Sequence, residues 1–150
     1  MTIDEFWQKF IRDTGRNANI KYYESFRFEL TETVSNYLLE LVLSRKKKAT
    51  SSSLSAYQVA QTPLPHVGDF SIITDWDGNP RCVIETTSVS IIPFNEMTFE
   101  ICKLEGEDDT LTSWQYGHSK FFTNEGHTLG YEFSEIMPVV FEEFEMVYEG

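Results

Sequence analysis

Two segments rich in isoleucine, valine and threonine flank a run of turn-forming residues near the middle of the chain. The segments are 70–74 and 82–90, and the intervening run Asp75 to Pro80 contains the dipeptide Asp77-Gly78. Branched residues favour strands, and Asp-Gly favours a tight connection between two antiparallel strands. The sequence therefore predicts a β-hairpin at this point, and any fold must accommodate it.

Two amphipathic helices are predicted before this hairpin. The first begins at a capping box formed by Thr2 and Glu5 and ends at Gly15. Its apolar stripe comprises Ile3, Phe6, Trp7, Phe10 and Ile11. The second helix begins after the polar run 31–33. Its stripe comprises Val34, Tyr37, Leu38, Leu41 and Val42.

The other segments complete an α+β pattern. We interpret residues 50–60 as a loop, which Pro63 and Pro65 continue in an extended conformation. Asn95 is the predicted N-cap of a helix that ends at Gly106. A short helix follows, with Leu111, Trp114, His118 and Phe121 on one stripe. The last strand is predicted over 138–148, with Val139, Phe141, Phe144 and Met146 all facing inward across an irregularity.

The length and charge of the chain limit its class. A chain of 150 residues predicts one domain with one core. Its net charge of −12 disfavours non-specific binding to DNA. Cys82 and Cys102 form no CxxC pair, which predicts neither a disulfide framework nor a metal site. The sequence shows no leader-like or membrane-spanning segment, so we expect a cytoplasmic protein. We also expect no cofactor.

The densest basic cluster, Arg45-Lys46-Lys47-Lys48, follows the second predicted helix. Lys47 and Thr50 are three residues apart, so an amine and a hydroxyl can converge there on one small ligand. The alternative is a solvated helix end whose cations complement the helix dipole. The residues alone leave both interpretations open.

Carboxylate and imidazole groups elsewhere are further candidates. The acidic segment 105–109 can supply one carboxylate to the same site, or it can be a solvated loop. His118 is predicted to be a hydrogen-bonded residue at the edge of the core rather than a metal ligand. Glu85 either faces inward, where it needs a partner, or lies at the surface. The sequence contains no nucleophile elbow, P-loop, GxGxxG or HExxH pattern.

An ordered set of short motifs resembles the ASCH domain family over residues 20–148, with 1–19 as a helical extension. The motifs are Ser44-Arg45-Lys46-Lys47-Lys48-Ala49-Thr50, Val67-Gly68-Asp69, Val83-Ile84-Glu85-Thr86-Thr87, Pro93-Phe94-Asn95, Glu105-Gly106-Glu107, Trp114 with His118 and Phe121-Phe122, and Met137-Pro138-Val139-Val140. The resemblance implies a PUA-like β-barrel with flanking helices and a cleft beside the basic segment. It also implies a link to RNA, and some small members resemble amidohydrolases that remove the acetyl group of 4-acetylcytidine.

The resemblance also implies roles for individual residues. It assigns Lys47, Thr50 and Glu105 as catalytic residues, with Glu107 as the alternative carboxylate. It adds a group of binding residues, namely Arg45, Lys46, Lys48, Glu85, Glu107 and His118. Arg45 stands where the family pattern has glycine, and Lys48 where it has threonine.

Two mechanisms are compatible with these residues. A charged Lys47 would hold a carbonyl oxygen or phosphate, while Thr50 supplies a hydrogen bond or the attacking hydroxyl and Glu105 takes the proton. A neutral Lys47 would itself activate Thr50 or water. Two functions follow, an amidohydrolase acting on an acylated pyrimidine nucleoside, or a non-enzymatic module that binds RNA or nucleotides.

Overall fold

The computed structural model describes residues 1–28 and 30–150, which form both helices and strands. The helices are α1 (Ile3–Thr14), α2 (Glu32–Leu43), α3 (Leu54–Ala60), α4 (Phe99–Cys102) and α5 (Leu111–Leu129). The strands are β1 (Glu24–Phe26), β2 (Ala49–Ser53), β3 (Phe70–Thr74), β4 (Pro80–Pro93) and β5 (Pro138–Glu149). Short 3-10 turns, Phe94–Glu96 and Lys103–Glu105, precede and follow α4.

The five strands form one curled half-barrel in the order β1-β3-β4-β5-β2. β3 and β4 pair antiparallel, with Phe70 opposite Glu85, which confirms the predicted hairpin. β4 continues to Pro93, beyond the predicted end at Ser90, because β5 pairs with β4 as far as Pro93. β1 pairs in parallel with β3, and β2 pairs antiparallel with β5. The predicted α+β class is confirmed.

Both predicted N-terminal helices are present. Thr2 caps α1 by accepting from the Glu5 amide, and Gly15 ends the helix in the left-handed conformation. Thr31 caps α2 in the same way. Tyr37 lies outside the buried stripe of α2 and is 56% exposed.

The interpretation of residues 50–60 as a loop is wrong. Residues 49–53 form β2, and residues 54–60 form α3, which Ser53 caps by accepting from the Ala56 amide. Serine and alanine give this segment little strand propensity of its own. Its extended conformation comes from its ladder with β5, in which Thr50 lies opposite Glu142.

The helical segments after β4 also differ from the prediction. Asn95 lies within a 3-10 turn, and Thr98, not Asn95, caps α4 by accepting from the Ile101 amide. Gly106 ends the following turn, as predicted. The predicted short helix is α5, which has 19 residues and ends before Gly130.

The predicted inward-facing residues of β5 lie in two clusters. Val139 and Phe141 pack with α5, whereas Phe144 and Met146 pack with α2. Between these two pairs the register shifts on the partner strand, where Thr87 is the additional residue. Regular alternation along β5 therefore directs the two pairs to different faces.

Three clusters of buried side chains hold the helices on the sheet. The stripe of α1 packs against Ile72 and Val83, and α2 packs against Ile73 and Ile84. Alternate residues of the hairpin thus contact helices on opposite faces. The third cluster joins α4 and α5 to β2 and β5 and includes Trp114, which contacts Glu105 in the site described below.

In the described ranges 1–28 and 30–150, no helix combines the length and apolar character needed to cross a membrane.

Candidate functional site

The basic cluster 45–48 is divided by the way α2 ends. Ser44 is the C-cap, and Arg45 follows with a φ of 65° in the left-handed region. The amides of Lys46 and Lys47 both donate to the carbonyl of Leu41, at 2.9 and 3.0 Å. This turn directs Lys47 inward, where it is 2% exposed, while its three basic neighbours are exposed.

The segment 104–107 packs directly on this turn. The amide of Lys48 donates to the carbonyl of Leu104 at 2.8 Å. Gly106 has a φ of 73°, and a Cβ there would lie 2.4 Å from the carbonyl oxygen of Lys46. Glycine is required both by this conformation and by this contact. The close approach places the residues on either side of Gly106 beside Lys47.

Lys47 is paired with two carboxylates. Its Nζ lies 2.5 Å from Glu107 Oε2 and 3.7 Å from Glu105 Oε1. The side chains of Lys47 and Glu105 are 1% and 2% exposed, whereas that of Glu107 is 23% exposed. Burial of an ammonium is costly unless it is paired and hydrogen-bonded, and both carboxylates meet that requirement.

Glu105 is surrounded by donors. Its Oε2 accepts from Ser51 Oγ at 2.8 Å and from Trp114 Nε1 at 2.6 Å, and its Oε1 lies 3.5 Å from His118 Nε2. Burial opposes ionisation, but the contacts with His118, Lys47 and Trp114 outweigh it and lower the pKa of Glu105 to about 2. Glu105 is therefore an ionised carboxylate, and both of its oxygens face donors from the protein.

His118 links Glu105 to α5. Its ring stacks on Trp114 at 4.2 Å, and its Nδ1 lies 2.9 Å from the Trp114 carbonyl oxygen. A carbonyl only accepts, so Nδ1 carries a proton, and Nε2 needs a second proton to donate to Glu105. Burial disfavours this charge, but the contact with Glu105 prevails and raises the pKa of His118. This arrangement agrees with the prediction that His118 is a hydrogen-bonded residue at the edge of the core.

These groups line a cleft between β2 and α5. It has a volume of about 850 Å³, which falls in the range of small-molecule sites. Its polar wall contains Lys47, Thr50, Ser51, Glu105, Glu107 and His118. Its apolar wall includes Phe28 and Phe121. A second cavity of about 370 Å³ lies on the other side of Lys47 and is lined by Arg45 and Lys48.

The structure brings together five of the predicted site residues and separates the others. Lys47, Thr50, Glu105, Glu107 and His118 share the larger cleft. Arg45 and Lys48 line the smaller cavity, and Lys46 is exposed.

Glu85 is separate from both groups. It is half-buried in β4 opposite Phe70 and Glu145, and it lines neither cavity.

Several polar residues of this region were not predicted from the sequence. Ser51 and Ser53 lie two residues apart on β2, and each donates to a different carboxylate, Glu105 and Glu125. Their alternation is the only local signal, and the interpretation of 50–60 as a loop concealed it.

A second buried carboxylate, Glu142, was also missed. It is 9% exposed and accepts from Thr86 Oγ1 at 2.7 Å. No salt bridge among residues 1–28 and 30–150 includes it. Burial raises its pKa, and the negative charge of Asp69 acts in the same direction, against the Thr86 hydroxyl.

Among the residues that the structure describes, no three His, Cys, Asp or Glu side chains are grouped to hold a metal ion.

The curled half-barrel with helices on both faces defines a PUA-like protein. A family model described as the ASCH domain matches residues 24–148. The chain belongs to the ASCH domain family.

Solved structures agree with this assignment. The ASCH domain from Lactobacillus crispatus JV V101 is 36% identical, with 97% of this chain and 94% of that chain covered and a TM-score of 0.88. Protein EF3133 from Enterococcus faecalis V583 is 31% identical, with coverages of 98% and 88% and a TM-score of 0.89. Hypothetical protein PH0355, at 19% identity, coverages of 83% and 97% and a TM-score of 0.51, shares the fold alone. No curated protein matches the chain.

Proposed function

We propose that this ASCH domain protein is a cytoplasmic amidohydrolase that removes the acyl group from an acylated pyrimidine nucleoside such as 4-acetylcytidine. The observation that carries the proposal is the buried ion cluster in the cleft wall. Lys47 lies within 3.7 Å of two carboxylates, and Thr50 lines the same cleft. The cluster Lys47, His118, Glu105 and Glu107 has balanced charge, which suits an uncharged amide better than a polyphosphate.

The geometry favours a charged Lys47 as the group that stabilises the developing oxyanion. Its ammonium donates to the acyl oxygen as that oxygen gains charge during attack by water. Thr50 donates a further hydrogen bond to the substrate. Of the two mechanisms that the sequence leaves open, this is the one that the salt bridges support.

Glu107 is a better proton acceptor than Glu105 in this scheme. Glu105 has donors on both oxygens and a pKa of about 2, so it is a weak base near neutral pH. Glu107 is partly exposed to the cleft and has its described contact with Lys47 alone. Glu107 takes a proton from water as the oxygen bonds to the acyl carbon, and returns it to the departing amine when the C–N bond breaks. The products are the free nucleoside and the carboxylic acid, which then loses its proton to water.

Turnover of 4-acetylcytidine by purified variants tests this proposal. We expect Lys47→Ala to abolish turnover and Glu107→Gln to lower it by about 100-fold or more, a usual contribution of general base catalysis. The matched control is Lys21→Ala, since Lys21 is exposed and lies outside the cleft. Thermal melting separates loss of chemistry from loss of fold. Normal turnover by folded Lys47→Ala, or no turnover by the wild type, contradicts the proposal.

The exposed part of the basic cluster supports a second candidate, a non-enzymatic RNA-binding module. Arg45, Lys46 and Lys48 are exposed, and two of them line the smaller cavity. Their contacts with phosphates would make binding to single-stranded RNA salt-dependent, with a slope of about −0.7 for each phosphate neutralised.

Fluorescence anisotropy with a labelled RNA distinguishes this candidate. We expect the double variant Lys46→Glu with Lys48→Glu to reduce the affinity and the salt slope, and Lys21→Glu to change neither. An RNA that fails to bind at low salt, or that binds equally to the double variant, excludes this function.

A further inference from the structure

A second pair of a serine and a carboxylate lies next to the pair Ser51 and Glu105. Its serine, Ser53, is two residues further along β2. Ser53 Oγ, which is fully buried, donates to Glu125 Oε1 at 2.6 Å. Tyr131, from the segment after α5, donates to the same oxygen at 2.6 Å. Gly126 allows this arrangement, because a Cβ there would lie 2.2 Å from the Tyr131 carbonyl oxygen.

The pairs Ser51–Glu105 and Ser53–Glu125 lie side by side along β2. Ser51 and Ser53 point to the same side of β2 and are about 7 Å apart, since a strand rises about 3.3 Å per residue. Ser51 holds Glu105, and Ser53 holds Glu125. On α5, His118 and Glu125 are seven residues apart, so they also share one face of the helix. Two carboxylates are thus fixed side by side along one wall.

Glu105 and Glu125 differ in how much of their hydrogen-bond acceptor capacity is already used. Glu105 accepts or faces donors with both oxygens, as described above. Glu125 lines the cleft, and both of its hydrogen bonds end on Oε1. None of the hydrogen bonds or salt bridges among residues 1–28 and 30–150 uses its Oε2. An ionised carboxylate can accept from more than two donors, so Glu125 retains acceptor capacity for a ligand in the cleft.

We infer that Glu125 accepts a hydrogen bond from a ribose hydroxyl and makes the cleft selective for ribonucleosides over 2′-deoxyribonucleosides. This inference rests on the proposed nucleoside-binding function. The exocyclic amide and the ribose of an acylated cytidine lie at opposite ends of the pyrimidine ring. With the amide at Lys47, the ribose extends along β2 toward Glu125. A carboxylate that accepts from the ribose 2′-hydroxyl is a known means of recognising a nucleotide.

Ser53 and Tyr131 are positioning residues in this arrangement. Their hydroxyls fix the orientation of the carboxylate through Oε1, so that Oε2 is held toward the ligand. Removing the phenolic hydroxyl by Tyr131→Phe leaves the acceptor in place and loosens its orientation. The expected effect of this variant is therefore smaller than that of removing the carboxylate.

The test compares paired substrates that differ in one hydroxyl. Measurements are kcat/KM for 4-acetylcytidine and its 2′-deoxy analogue, and Kd for cytidine and 2′-deoxycytidine by calorimetry. We expect the wild type to favour the ribo form by about 10- to 100-fold, the usual value of one hydrogen bond to a charged group. Glu125→Ala should reduce this ratio to nearly one, and Tyr131→Phe should reduce it in part.

A control variant separates recognition from general damage. Glu132→Ala removes an exposed carboxylate of the same segment and should leave the ratio unchanged. A merely structural role for Glu125 would lower activity toward both sugars equally, which overturns the inference.

The outcomes also separate this inference from the proposed function. Turnover without preference for ribose overturns the inference and leaves the amidohydrolase. Preferential binding of cytidine without any turnover excludes the amidohydrolase and supports the role of Glu125. If the wild type neither turns over 4-acetylcytidine nor binds either nucleoside, both proposals are wrong.

Discussion

Glu105 and Glu142 are two buried carboxylates whose surroundings change their pKa in opposite directions. Glu105 is 1% exposed and Glu142 is 9% exposed, so both have lost most of their water. The pKa of Glu105 falls to about 2, whereas that of Glu142 is raised. The difference lies in the partners. Glu105 faces an ammonium, an imidazole, an indole and a hydroxyl, whereas Glu142 has the hydroxyl of Thr86 and the nearby negative charge of Asp69.

This contrast shows that burial by itself does not determine the ionisation of a carboxylate. Desolvation acts on both residues, and the number and charge of the donors decides the result. Every donor to Glu105 comes from a segment that the fold must bring to it, including β2, α5 and the turn after α2. Glu142 instead accepts across one pair of neighbouring strands. The first environment is therefore the more easily disrupted of the two.

The largest expected effect is that of Gly106→Ala, which changes the surroundings of Glu105 and leaves those of Glu142 unchanged. The new methyl group would meet the Lys46 carbonyl and would occupy a left-handed conformation. We expect a loss of about 4 kcal/mol in the free energy of unfolding, from roughly 1–2 for the conformation and about 1–3 for overpacking. Urea unfolding measures this loss.

Gly15→Ala is the matched control for this variant. Gly15 has a φ of 69°, close to that of Gly106, but a Cβ there would meet nothing within 4 Å. We expect it to lose only the conformational part, about 1 kcal/mol. Equal losses in the two variants would show that the contact between Gly106 and Lys46 has no effect.

The next largest effect is that of Glu105→Gln, which removes the favourable charge. A fall in pKa from 4.5 to about 2 corresponds to about 3 kcal/mol of stability, and we expect the variant to lose about that amount at pH 7. Because the folded pKa is the lower one, this stability is present above pH 4.5 and is lost as the pH falls toward 2. Urea unfolding at several pH values measures the difference. A difference that stays constant with pH would exclude ionised Glu105 as its cause.

The smallest effect, and the opposite sign, is expected for Glu142→Gln. The folded pKa of Glu142 is raised, so the wild type loses stability as the pH rises from 4.5 through that pKa. The amide does not titrate and can still accept from Thr86. We expect it to stabilise the protein by about 1 kcal/mol at neutral pH, the low end of the cost of incomplete compensation.

This gain should disappear below pH 4.5, where the wild-type carboxyl is neutral in both states. Thermal melting across this pH range measures it. Glu145→Gln, at an exposed position on the same strand, is the control and should change stability by less than about 0.5 kcal/mol. Destabilisation by Glu142→Gln at neutral pH would contradict the comparison.

The sequence predicts the parts of the fold that local chemistry determines. Thr2, Thr31 and Gly15 delimit their helices through side-chain or backbone capping, and the Asp77-Gly78 turn lies between two paired strands. The errors fall where distant partners decide. Residues 49–53 are a strand because β5 pairs with them, and Ser and Ala residues give no sign of this.

The candidate site was predicted in part for the same reason. The order of motifs placed Lys47, Thr50, Glu105, Glu107 and His118 in one group, and the structure brings them to one cleft. No local sequence signal shows that the side chain of Lys47 is buried while those of its basic neighbours are exposed. Glu125 and Glu142 were missed because their hydroxyl partners are 72 and 56 residues away in the sequence.

The ion pair of Lys47 with Glu107 joins residues 60 positions apart, which has a consequence for folding kinetics. Closing a loop of that length costs chain entropy before the contact forms, so local helices precede it. We expect desolvation of Lys47 to follow the pairing of β2 with β5, because Lys47 lies two residues before β2. In the native state the same segment, 104–107, is held by long-range contacts with Lys47, Lys48 and Ser51, so we expect it to open only rarely. Amide hydrogen exchange at Lys48, which donates to Leu104, would report each opening.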